Sequence, residues 1–145
     1  MSKIEIFYED IKPLKVNKTH LNKYIKHLIN SEIKKMGDLS LIFCSDKYLL
    51  EVNVKYLKHN YYTDIITFNY VEGEIISGDL FISIERVKEN SNKFNTTFIR
   101  ELYRVIFHGI LHLIGYNDKT EEEQKIMREK EDLYLSAVDF GGIEI

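Results

Sequence analysis

The 145 residues include one cysteine (Cys44), one proline (Pro13) and no tryptophan. A lone cysteine excludes a disulfide framework within the chain and fits a reducing compartment. Cys44 closes the apolar run Leu41-Ile42-Phe43-Cys44, where it reads as a small buried hydrophobe rather than a reactive thiol. Repeats, low-complexity segments and linkers are missing too, so one domain over residues 1–145 is expected. There is no long hydrophobic run. The richest apolar stretch, within 98–114, carries Arg100, Glu101, Arg104 and two histidines, which excludes a membrane span. The start, Met1-Ser2-Lys3-Ile4-Glu5-Ile6, lacks the apolar core of a signal peptide, and the expected location is the cytoplasm. Positive charge is not in excess either. The formal net charge is -3, which argues against a broad basic surface of the kind that holds nucleic acid nonspecifically. Lysines cluster at Lys23, Lys26, Lys34 and Lys35, and again at Lys55 and Lys58, and both clusters read as solvated helix faces.

Hydrophobic residues, at 44%, are numerous enough for a packed core. Residues 3–8 alternate through Ile4, Ile6 and Tyr8 and predict a strand. Residues 18–35 place Leu21, Tyr24, Ile25, Leu28 and Ile29 at helical spacing, with Gly37 as the stop. A strand over 39–44 follows, then a helix capped by Ser45-Asp46. Branched and aromatic residues at 64–71 predict a strand, and Glu72-Gly73-Glu74 turns it into another at 79–84, making a hairpin. Helical patterns return at 84–92, 97–115 and 120–137, the last opened by a capping box of Thr120 with Glu123. The order defines an α+β class: a layer of about four strands packed with helices.

Chemistry concentrates in His108-Gly109-Ile110-Leu111-His112-Leu113-Ile114-Gly115-Tyr116-Asn117-Asp118. Residues four apart share a helix face, so His108 and His112 can grip one ion from successive turns. Gly115 lets the backbone leave the helix, and Asp118 can return as a third ligand. Two imidazoles and a carboxylate suit one zinc ion per chain, with a position left for water. A non-haem iron site shares that ligand set and stays as a minor alternative. The bland reading is that the two histidines are polar neighbours on a helix and Asp118 a helix cap. Against it, Glu101, Arg104, His108 and His112 form one polar stripe on an otherwise apolar helix, and a buried polar stripe needs partners. A zinc peptidase of the H-E-x-x-H type carries glutamate after its first histidine, and here that position is Gly109. A phosphodiester is the more natural target.

This segment resembles the signature of the YbeY family of rRNA maturation endoribonucleases, H-G-x-L-H-L-x-G-Y-D-H. Asn53 and Tyr56, followed by Thr63-Asp64-Ile65-Ile66-Thr67-Phe68, resemble its block L-N-x-x-[YF]-R…P-T-D-V-L-S-F. Gly78-Asp79-Leu80-Phe81-Ile82-Ser83 resembles its G-D-I-x-I-S strand, so the likeness runs over about residues 38–135 in order. The resemblance implies an α+β fold around a metal site on a central helix, cleavage of single-stranded RNA, and a role in maturing small-subunit (16S) ribosomal RNA. Implied partners are ribosomal RNA, the small ribosomal subunit and its assembly factors. A non-catalytic assembly factor with a structural metal is the rival reading.

Three positions depart from the family pattern. Asp118 stands where the third ligand is usually histidine, adding a negative charge that should make bound water less acidic. Leu57 aligns with the arginine that is thought to meet the RNA phosphate, and Tyr62 with the proline before the threonine. Lys55, Lys58 and Arg104 are candidates to restore the charge, although Arg104 can instead bridge Glu101. His59 is a candidate for acid/base work or phosphate contact. Asp64 either orients a ligand histidine or caps the strand entry. Thr63 and Thr67 can offer hydroxyls, and Tyr61, Tyr62 and Tyr70 can stack on unpaired bases, although such residues are more often structural.

Overall fold

The computed structural model describes residues 3–141. Nine elements follow in chain order: β1 (Lys3–Glu9), α1 (Lys18–Ser31), β2 (Lys35–Cys44), α2 (Asp46–Leu57), β3 (Ile65–Asn69), β4 (Ile75–Ser83), α3 (Ile84–Lys93), α4 (Phe98–Ile114) and α5 (Glu121–Ser136). The sheet has four strands in the order β1-β2-β4-β3. The first three are parallel, and β3 pairs antiparallel with β4 as the expected hairpin. Parallel neighbours need crossover connections, which α1 supplies between β1 and β2, and α2 with β3 between β2 and β4. The class is the expected α+β.

Strand side chains alternate in direction, and the two sheet faces are covered unequally. Leu39, Leu41 and Phe43 of β2, with Ile76, Leu80 and Ile82 of β4, enter the main core beneath α1, α4 and α5. On the other face, Cys44 and Ile66 make a small cluster with Leu49 and Val52 of α2. Cys44 is fully buried, and that burial pushes its thiol up to about 12, in keeping with a packing role.

α4 is the central helix, nearly every side of it covered. It comes close to the sheet at Gly109, where an added Cβ would sit 2.7 Å from Ile65 Cδ1 and 2.8 Å from Leu80 Cδ2. Glycine therefore lets the helix settle on β3 and β4 between its two histidines. No helix among the described residues is long and apolar enough to cross a membrane.

Several boundaries differ from expectation, among them the start of β2 at Lys35 rather than 39. α1 stops at Ser31 rather than 35, because Ile33 turns left-handed at φ 60°. Gly37 does not stop a helix. It belongs to β2, beside an irregularity of register, where a Cβ would lie 2.0 Å from Ser77 Oγ. β4 also begins four residues earlier than the expected 79–84, at Ile75.

Candidate metal centre

Both histidines project from the last turns of α4. Gly115 then adopts φ 126°, its N–H and that of Tyr116 closing the helix on carbonyls of Leu111 and His112. A side chain at that φ would be strained, so glycine is what allows the chain to double back. Thr120 caps α5 in a capping box with Glu123, leaving the Asp118 carboxylate free of capping duty. The Asp118 carbonyl accepts from Gln124 Nε2 at 3.0 Å.

The three side chains converge. Nε2 of His108 and Nε2 of His112 are 3.0 Å apart, and Asp118 Oδ2 lies 3.2 Å from each. A tetrahedral ion with bonds of about 2.1 Å holds its ligands about 3.4 Å apart. The triangle falls within a few tenths of an ångström of that spacing, so the donor set fits a metal ion, and among the described residues this is the group able to hold one.

The tautomer points the same way. His108 Nδ1 lies 2.7 Å from Glu131 Oε2, so an Nδ1–H donates to the carboxylate and Nε2 is left with a lone pair facing the other two ligands. A metal ion fits between these groups, and in its absence an Nε2–H of either ring can bridge them. Burial opposes a charged His108, but the Glu131 hydrogen bond and the charges of Glu131, Asp118 and Asp64 outweigh it and raise its pKa.

Glu131 had gone unnoticed in the sequence. It is buried on the apolar face of α5, between Met127 and Tyr134–Leu135, and receives Arg104 Nη1 at 2.9 Å as well as His108. A glutamate at an apolar position of an amphipathic helix was its one sequence signal. Arg104 also donates to Asp132 at 2.9 Å, while Glu101 sits farther off at 3.8 Å. The bridge that Arg104 makes is thus mainly to α5.

Two clefts meet at this group. One, of about 460 Å3, is walled by Asn53, Leu57, His59, Tyr61, Thr63 and Thr67. The other, of about 580 Å3, opens between α3 and α5. Asp64, His108 and Asp118 line both. Buried Asn53 organises the first cleft: its Nδ2 donates to Tyr61 O at 2.9 Å and its carbonyl accepts from His59 N–H. The loop after α2 is so folded that His59 and Tyr61, stacked with centroids 5.3 Å apart, face the metal group. Leu57 lies in the same wall. Asp64 opens β3, and burial favours the protonated form of its carboxyl against the pull of His108. Lys55 and Lys58 line neither cleft, and the Lys55 ammonium sits over Tyr56. Tyr62 packs under Arg86, and Tyr70 is exposed.

The class defined here is an α+β layer that carries, at the end of its central helix, a His-His-Asp group able to hold a metal ion. The comparisons with known proteins sharpen this. The family model described as "Endoribonuclease YbeY" matches residues 6–139. A Parabacteroides distasonis protein named Endoribonuclease YbeY is 50% identical over 133 residues, covering 92% of this chain and 94% of its own length. A Bacteroides fragilis protein of the same name is 51% identical over 128 residues, covering 88% and 92%. A solution structure from Thermotoga maritima superposes with a TM-score of 0.66 at 29% identity, covering 94% of this chain and 89% of that one. The chain belongs to the YbeY endoribonuclease family.

Proposed function

We propose that this chain is a metal-dependent endoribonuclease that cleaves single-stranded RNA in the maturation of small-subunit ribosomal RNA, in the cytoplasm, with one zinc ion on His108, His112 and Asp118. The observation that carries the reading is the closed triangle of two imidazole nitrogens and a carboxylate oxygen, oriented by Glu131 and open to two clefts. Zinc there supplies a Lewis acid and a bound water with pKa lowered toward ~7.

The chain's own residues do the rest. Glu131 fixes the His108 ring, and Arg104 holds Glu131, which makes Arg104 a positioning residue. His59, on the cleft wall, is placed to exchange a proton with a bound strand. Asp64 lines both clefts, and its burial raises its carboxyl above the ordinary range. The ribosomal small subunit and its assembly factors are the partners this reading entails.

The test is purified protein with an unstructured RNA and elemental analysis. Wild type should carry one zinc per chain and cleave. Asp118→Ala should lose the metal and His112→Ala the cleavage. Cleavage persisting in His112→Ala would expose a contaminant and overturn the reading.

A second reading, a non-catalytic assembly factor with a structural metal, draws support from Leu57 in the cleft wall and from Arg104, whose guanidinium is taken up by carboxylates. It expects bound metal with no cleavage. A zinc peptidase would need a glutamate at 109, where glycine is wedged against Ile65 and Leu80.

A further inference from the structure

The cleft between α3 and α5 has buried acids and an exposed surface of another character. Glu101 and Glu131 are 4% and 5% exposed, and Arg104 engages both. What a ligand meets is Phe94, 56% exposed with the Lys93 ammonium 5.6 Å from its ring centroid, and across from it on α5 exposed Lys125 and exposed Arg128, the latter 3.8 Å from Glu131 Oε1. An isolated surface phenylalanine needs no explanation. This one caps the end of α3, its N–H bonded to Asn90 O, and the chain turns left-handed at Asn95 straight after it, which sets its backbone on the rim. The volume, about 580 Å3, is in the range that takes a nucleotide-sized ligand.

The position matters as much as the chemistry. This cleft and the one holding Tyr61 share only Asp64, His108 and Asp118, so they lie on either side of the metal group. A strand laid across that group leaves the Tyr61 side and enters here. Unpaired bases stack on any aromatic face, and Lys and Arg beside such a face meet the phosphate of the same nucleotide. We propose that Phe94, Lys125 and Arg128 form a second nucleotide subsite, in which Phe94 stacks one unpaired base flanking the cleavage point and the two cations hold its phosphate. The proposal rests on the endoribonuclease reading for its substrate class.

Two measurements on the metal-loaded full chain test it. In the first, a single-stranded oligouridine carrying 5-iodouridine is photo-crosslinked and the site is mapped by mass spectrometry. A crosslink to Phe94 is expected, and crosslinks confined to Tyr61 or elsewhere would overturn the subsite. In the second, cleavage of a fluorogenic single-stranded RNA is followed over a range of salt. Phe94→Ala should raise KM about 5- to 150-fold with kcat little changed, and Phe94→Tyr should restore it. Restoration by Phe94→Leu to the same degree would mean mere apolar contact and would overturn stacking. Lys125→Ala with Arg128→Ala should flatten the slope of log affinity against log salt by about 0.7, the value for one phosphate neutralised on a single strand. An unchanged slope would remove the cations from the site. Wild type that cleaves while Phe94→Ala matches it sinks the subsite alone. Wild type that crosslinks at Phe94 but never cleaves sinks the enzymatic reading alone.

Discussion

Glu131 Oε2 stands 2.7 Å from Nδ1 of His108, and this single hydrogen bond decides which ring nitrogen faces Asp118. Glu131→Ala should lower zinc affinity about 10- to 100-fold, the usual cost of losing the partner that orients a ligand histidine. Glu131→Gln keeps a carbonyl acceptor for Nδ1–H and should lose less. Competition with a chromophoric chelator measures both, beside a thermal melt to show that the variants are folded. Wild-type affinity in the alanine variant would refute the orienting role.

Zinc binding should release protons around neutral pH. His108 is raised above its ordinary 6.5 because, although burial opposes charge, Glu131, Asp118 and Asp64 favour it. A metal must displace that proton. Titration calorimetry in two buffers of different ionisation enthalpy should therefore show proton release at pH 6.5. The sign for stability runs the other way in metal-free protein. A raised histidine stabilises the fold fully below its unfolded value, and that contribution disappears as pH rises through the folded one. No proton release at pH 6.5 would contradict the assignment.

Much of this could be read in the chain before folding was considered. The five apolar residues named for α1 are its five buried ones, because amphipathic spacing is a local property. The convergence of His108, His112 and Asp118 was legible because a histidine pair one turn apart, a helix-ending glycine and a nearby carboxylate form a local pattern. The order of strands was not, since β2 meets β4 across more than thirty residues through long-range pairing alone. Glu131 was missed for the same reason: it is brought to His108 from another element and does not adjoin the histidines in sequence.

Gly109 was read only as the absence of a catalytic glutamate, whereas the fold gives it a packing role. Gly109→Ala should destabilise the protein by about 1–3 kcal/mol, because its Cβ would press on Ile65 Cδ1 and Leu80 Cδ2. Both atoms are the ends of movable side chains, so the protein should still fold, with α4 lifted slightly from β3 and β4. The histidines ride on that helix, and zinc affinity should fall along with the melting temperature. A pairing of Gly109→Ala with Leu80→Ala, which makes room for the methyl, should recover part of the affinity. If Gly109→Ala melts like wild type, the close approach is not what glycine is there for.

Glu32, at the end of α1, ties down the loop that delivers Asp118. Its carboxylate accepts from the hydroxyls of Tyr116 and Tyr134, and from Lys130 Nζ at 3.0 Å. Burial works to raise its pKa, but the two tyrosines and Lys130 prevail and hold it below the ordinary 4.5. A lowered carboxylate stabilises the fold above its unfolded pKa, and that contribution is lost as pH falls through the folded one. Acid unfolding should accordingly steepen below pH 4.5, and Glu32→Gln should flatten this limb while lowering stability at pH 7. Tyr116→Phe removes one of the three donors, worth about 1.5–3 kcal/mol for a bond to a charged acceptor. It should also weaken zinc binding, since Tyr116 lies two residues before Asp118. Denaturant melts from pH 3 to 7 measure the first effect and chelator competition the second. Identical acid limbs in wild type and Glu32→Gln would mean that this clamp contributes nothing to the fold.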